Sequence, residues 1–174
     1  MKSKSSQALL EAKDDFIAQW GAMGSAWGIN RTMAQIHALL MVTPNPMSTD
    51  EIMEDLKISR GNAHGNLREL AGWGLVRSVI RKGERKEFFE AEKDIWKMFC
   101  IIVRERKRRE IEPILEVLQQ CHSRTKDVSG KDAETFTQQL KELSDFVHKA
   151  DRVMDAVSRS SENQLMPLAM KLIK

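Results

Sequence analysis

Apolar residues recur along most of this chain at the three- and four-residue steps of an amphipathic helix. Leu9, Phe16, Trp20, Met23 and Trp27 follow one another at steps of seven, four, three and four, one helical stripe that Gly28 can stop. A second helix places Ile29, Met33, Ile36 and Leu40 on one face and meets its breaker at "TPNP", Thr43 to Pro46. Ser48 with Glu51 three residues on fits a capping box, opening a short helix that points Ile52 and Leu56 inward. Lys57 and Ile58 then bridge to Ser59, a good N-cap for another helix with Ala63, Leu67 and Leu70 on one face and glycines 72 and 74 as its stop.

The rhythm changes at "LVRSVIRKGERKEFFEAE". β-branched and aromatic residues flank "KGER", Lys82 to Arg85, which reads as a β-hairpin turning at a glycine. A helix from about Asp94 to His122, kinked at Pro113, comes next. The last long helix carries Phe136, Leu140, Leu143, Val147, Ala150, Met154 and Val157 in unbroken steps of four and three, a seam of coiled-coil quality. "NQLMPLAMKLIK" closes the chain as a short amphipathic piece broken near Pro167.

Helix, capped short helix, turn, second helix, hairpin is the order of a winged helix-turn-helix. The fold class expected is therefore mainly α, with a β-hairpin wing and flanking helices. One helix in it is odd. "SRGNAHGNLREL", Ser59 to Leu70, has helical periodicity but two glycines, each costing a helix roughly 1 kcal/mol relative to alanine. At about 100° per residue, the face opposite Ala63, Leu67 and Leu70 carries Gly61, His64, Gly65, Arg68 and Gly72, flanked by Arg60 and Asn66. It offers arginine donors at Arg60 and Arg68, amides at Asn62 and Asn66 and the His64 imidazole, and no large apolar side chain. A backbone that lies close against a nucleic-acid groove explains the glycines, because no side chain then separates the surfaces. Asn and Arg suit adenine and guanine edges, and Ser59 with the free N–H groups of the helix start suits a phosphate. Arg81, Lys82, Arg85 and Lys86 crowd the hairpin tip, where they can reach a neighbouring groove or its phosphates.

Charge agrees. The 174 residues carry a net charge of +3, yet Ser59 to Arg109 alone holds 14 Lys and Arg against 7 Asp and Glu, and the remainder is net acidic. An anionic partner for the middle of the chain follows. With 41% hydrophobic residues the chain can bury a core, and it has no apolar run long enough to span a membrane. Its polar, acidic beginning does not read as a secretory signal, so a cytoplasmic protein with reduced thiols is expected. Cys100 and Cys121 lack CxxC spacing and the four histidines are scattered, so neither a metal site nor a cofactor is expected. No GxSxG, HExxH, phosphate-binding glycine loop or Cys–His pair in catalytic context occurs, and an enzyme is not expected.

Three stretches carry a resemblance: "WGINRTMAQIHALL" (Trp27 to Leu40), "STDEIMEDLKISRGNAHGNLREL" (Ser48 to Leu70) and "WGLVRSVIRKGERKEFF" (Trp73 to Phe89). Covering about a third of the chain, they resemble the MarR-type winged-helix regulators, in particular the GbsR-like branch. The resemblance implies a homodimeric, sequence-specific regulator, a ligand-responsive repressor, on a pseudo-palindromic double-stranded operator. It carries Ser59, Arg60, Asn62, Asn66 and Arg68 over as DNA-facing, with the wing at Arg81, Lys82, Arg85 and Lys86. It departs at His64 and Gly65, where the family has a serine and a bulkier residue. It implies N- and C-terminal helices that interlock between protomers, and the expected segments are a dimerisation helix (1–28), the winged helix (29–91) and a helical dimerisation region (92–174). Leu9, Phe16, Phe136, Leu140, Leu143, Val147, Met154 and Val157 are the expected dimerisation residues. A small-molecule effector, with choline or betaine as the family's kind, rests on the resemblance alone. The competing reading is a protein-interaction module that uses the winged helix and coiled-coil tail without operator specificity.

Overall fold

Asn30 caps the helix that organises the N-terminal half: its side chain accepts a hydrogen bond from the Met33 N–H at 3.1 Å. In a computed structural model describing residues 4–160, this helix, α2 (Arg31–Val42), buries Met33, Ile36 and Leu40 almost completely. The helix before it, α1 (Lys4–Ala26), packs along α2. Its buried face is Ile17, Gly21 and Gly24 rather than the large-residue stripe, of which Leu9 and Trp27 are exposed and Phe16, Trp20 and Met23 half-buried. A Cβ on Gly24 would stand 2.6 Å from the Ala34 Cβ, so glycine is what lets the two helices approach this closely. A reading that counts only large apolar residues passes over that face.

After α2 comes a two-residue strand, β1 (Met47–Ser48), then α3 (Thr49–Leu56), α4 (Arg60–Trp73), β2 (Val76–Ile80) and β3 (Glu87–Ala91). The sheet is antiparallel in the order β1-β3-β2, with Met47 opposite Phe89 and Val76 opposite Ala91. β1 is too short to show a period, so the sequence pattern does not reveal it. The capping box is formed: the Glu51 N–H donates to Ser48 Oγ at 3.3 Å, and the Ser48 N–H to Glu51 Oε2 at 2.6 Å. Lys57 sits in the left-handed region at φ 53° and turns the chain from α3 into α4. Gly74, at φ 84°, ends α4, with the Gly74 and Leu75 N–H groups both donating to the Leu70 carbonyl. Ile52, Ala63, Leu67, Leu70, Leu75, Val76 and Phe89 complete the core of this unit, residues 1–94.

His37 lies inside it with Nε2 unpaired and its ring 6.2 Å from that of Trp20. Burial, and secondarily the charge of Lys93, push its pKa down from 6.5 to about 4. The folded state thus refuses a proton that the unfolded chain accepts. This contribution to stability is complete above about pH 6.5 and falls away as pH drops toward 4, by on the order of 3 kcal/mol. Denaturant titrations of His37→Leu across pH 7 to 4 are expected to show a shallower loss than the natural protein; parallel curves would refute the assignment.

Residues from Ile95 onward form a second unit. α5 (Ile95–Arg106) continues through a π-helical turn (Lys107–Ile111) into α6 (Glu112–Thr125), and α7 (Lys131–Arg159) packs against these. The sequence pattern puts a kink at Pro113, whereas Pro113 sits in the first turn of α6 and the irregularity precedes it. Proline offers the Arg109 carbonyl no N–H and crowds it. The turn before it widens instead, and the Glu112 N–H reaches back five residues to Lys107. The basic run here is largely paired within the unit. Lys107 faces Asp151 at 3.1 Å, Arg106 meets Glu110 at 3.1 Å and Arg108 meets the buried Glu105. Along the heptad seam of α7, Val147 is buried and Leu140, Ala150, Met154 and Val157 are half-buried, while Phe136 and Leu143 stay exposed. The amphipathic piece "NQLMPLAMKLIK" lies outside the described residues.

Candidate nucleic-acid interface

α4 presents its odd face outward. Gly61, His64, Gly65, Arg68 and Gly72 are exposed, and a Cβ added at Gly61, Gly65 or Gly72 would meet nothing within 4 Å. The contrast with Gly24 decides between two explanations of glycine. In α1 the fold itself needs the missing side chain; in α4 nothing inside the subunit does. A helix that gives up roughly 1 kcal/mol at each such position for no internal packing has the shape of a docking surface.

Around this face the structure sorts the sequence-derived residues. Ser59 caps α4 by accepting from the Asn62 N–H at 3.3 Å. Asn62 is exposed, with its amide 3.5 Å from Thr32 Oγ1. Asn66 is buried, and its Nδ2 donates to the Asn62 carbonyl at 2.8 Å and to Asn62 Oδ1 at 2.6 Å. It stands 60° from Ala63 on the helical wheel, inside the apolar arc, where an asparagine satisfies itself on a neighbour instead of reaching outward. Asn66 therefore orients Asn62 and does not itself line the open face.

The hairpin wing divides in the same way. Gly83, at φ 86°, closes the tip, with the Glu84 N–H donating to the Arg81 carbonyl. Lys82 and Arg85 project there, exposed, and beside them Ile80 is 90% exposed. Arg81 folds back: its guanidinium lies 4.1 Å over the Phe88 ring, and Nη2 donates to the Pro46 carbonyl at 2.8 Å. It tethers the wing to the chain before β1. Lys86 and Arg60 meet on one residue that the sequence reading passes over, Asp50 of α3. Asp50 Oδ1 accepts from Arg60 Nη2 at 2.6 Å and Oδ2 from Lys86 Nζ at 2.9 Å. The Lys86 hydrogen bond and charge, followed by the Arg60 charge, hold the Asp50 carboxyl below its ordinary range. Ten and thirty-six residues separate these partners, beyond the reach of any local pattern.

A short helix, a left-handed turn, a second helix with a solvent-facing side and a basic hairpin beside it define the chain as a winged helix-turn-helix protein. Comparison with known proteins gives the particulars. The chain is 22% identical over 158 residues to the HTH-type transcriptional repressor GbsR of Bacillus subtilis, covering 90% of this chain and 87% of that protein. It is 19% identical to the repressor OpcR of the same organism, over 87% and 85% of the two chains. A putative regulator, YvaV, matches at 25% identity over 53% of this chain and 52% of its own. A solved structure described as a transcriptional regulator superposes with a TM-score of 0.66 at 18% identity, over 85% of this chain and 97% of that one, and shares the fold. No family model matches the chain.

Proposed function

We propose that this chain is a homodimeric, sequence-specific DNA-binding transcriptional regulator of the repressor kind. The observation that carries the reading is the outward face of α4, whose glycines meet no atom of their own subunit while His64 and Arg68 stand exposed beside them. Likeness to two repressors over most of the chain supports it. In this reading His64, Arg68 and Asn62 approach base edges, Ser59 and Arg60 meet phosphate at the start of α4, and Lys82, Arg85 and Lys86 meet phosphate from the wing. Asn66 and Arg81 hold Asn62 and the wing in place. Base contacts carry sequence preference and phosphate contacts carry affinity.

Dimerisation is part of the proposal. α7 shows an apolar stripe on its exposed side, Phe136, Leu143, Phe146 and Val153, at 46, 48, 68 and 63% exposure. A second copy would bury it, and a dimer of this kind reads half-sites about one DNA turn apart, roughly 34–36 Å, with one α4 helix in each. Release by a small-molecule effector is the remaining part; it stands on the resemblance to ligand-responsive regulators, and adding metabolites to a formed complex tests it. Among the described residues no helix is long and apolar enough to cross a membrane.

The deciding experiment selects bound sequences from a random duplex pool and measures affinity for the winner against salt. Affinity should fall steeply, at a slope of about −0.9 per phosphate contact in a log–log plot. Lys82→Gln with Arg85→Gln removes two phosphate contacts from each protomer and should flatten that slope by about 4 for the dimer while leaving the selected sequence unchanged. Indifference to duplexes at low salt would overturn the reading and favour a protein-interaction module.

A further inference from the structure

Two of the cations on the proposed docking face, contributed by different elements, are both engaged in the free subunit by one carboxylate. Arg60 opens α4, Lys86 leads into β3, and Asp50 lies in the first turn of α3, where the helix dipole favours a negative charge. Each Asp50 oxygen takes one cation, at 2.6 and 2.9 Å. All three side chains remain substantially exposed, at 71, 44 and 60% for Arg60, Asp50 and Lys86, so solvent anions can compete for the cations. The two oxygens of a carboxylate present acceptors much as two non-bridging oxygens of a phosphodiester do, and guanidinium and ammonium groups bind either.

Resting on the reading of α4 and the wing as a DNA-docking face, we infer that Asp50 is an internal stand-in for a DNA phosphate. It gathers Arg60 and Lys86 into one anion-binding pair in the free protein and yields them to the backbone on docking. Exposed ion pairs are weak enough to exchange in this way. The consequence is a brake on affinity. Each docking event must separate two cations from their resident anion, and phosphate contacts carry no sequence information, so the brake acts on every duplex alike.

The test compares the full chain with Asp50→Asn, and with Asp50→Ser as a second neutral residue suited to a helix start, on the selected duplex and on an unrelated one. Thermal melts confirm that each variant is folded. At 50 mM salt both variants should bind both duplexes about tenfold tighter, with a salt slope steeper by about 1 and an unchanged ratio between duplexes. Glu54→Gln, one turn further along α3, removes the same charge without touching either cation and should shift affinity by less than threefold. A cycle with Lys86→Gln gives a readout that a merely structural Asp50 would not move. That substitution should weaken binding about threefold in the natural background and about tenfold beside Asp50→Asn. If Asp50→Asn binds no tighter than Glu54→Gln, or binds more weakly, or if the Lys86→Gln effect is the same in both backgrounds, the inference is overturned. If the unsubstituted protein binds no duplex at all, it is the DNA-binding reading that has failed.

Discussion

Gly65→Leu is expected to give a protein that is more stable than the natural one and nearly blind to its duplex. Gly65 is exposed and a Cβ there meets nothing within 4 Å, so the new side chain starts out into solvent, and the helix gains most of the roughly 1 kcal/mol that glycine gives up. That should raise the melting temperature by about 2–4 °C for a chain of this size. On the outer side, a leucine holds the α4 backbone away from the groove and lifts His64 and Arg68 with it. Base contacts contribute about 1–3 kcal/mol of discrimination each, so losing two should weaken specific binding by at least about 30-fold. Opposite signs in the two measurements are the signature of a residue chosen for a partner and not for the fold. A melt and a fluorescence-anisotropy titration on one preparation suffice; full retention of specific binding would remove α4 from the interface.

Phe146→Asp is the second large effect. At 68% exposure the ring contributes little inside its own subunit, so the monomer should remain folded. In the proposed symmetric dimer the substitution would strike twice. Burying a phenylalanine contributes about 1.5–3 kcal/mol, so two lost rings raise the dimer dissociation constant by roughly two to four orders of magnitude. Sedimentation should show monomers at concentrations where the natural chain forms the proposed dimer, and affinity for the selected duplex should fall as a half-site is lost. A dimer of undiminished strength would place the interface elsewhere.

The heptad seam illustrates how far periodicity reaches. Steps of four and three in α7 identify a long amphipathic helix, yet they do not say which residues the subunit covers for itself. α5 and α6 pack on α7, and Val147 is buried, while the exposed stripe includes Phe146 and Val153, which stand three and ten residues beyond Leu143, at helical steps but off the seam's own register. α1 repeats the lesson, because its close-packed side is made of glycines and Ile17. Absence of a side chain is invisible to a count of apolar ones.

Alternation of apolar and polar residues, caps and turn glycines are local quantities, acting over three to seven positions, and they were legible before any fold was known. They define the helices, the capping box at Ser48, the stop at Gly74, the hairpin and the open face of α4. Pairing is a different kind of fact. That Asp50 holds Arg60 and Lys86, that Arg81 lies over Phe88, and that Asn66 turns inward to Asn62 depend on which surfaces the chain brings together. The linear order thus determined where cationic and small residues sit, and only tertiary packing decided which of them remain free to meet a partner. The reason is that a charge is neutralised by whatever lies within a few ångströms of it, however far away along the chain.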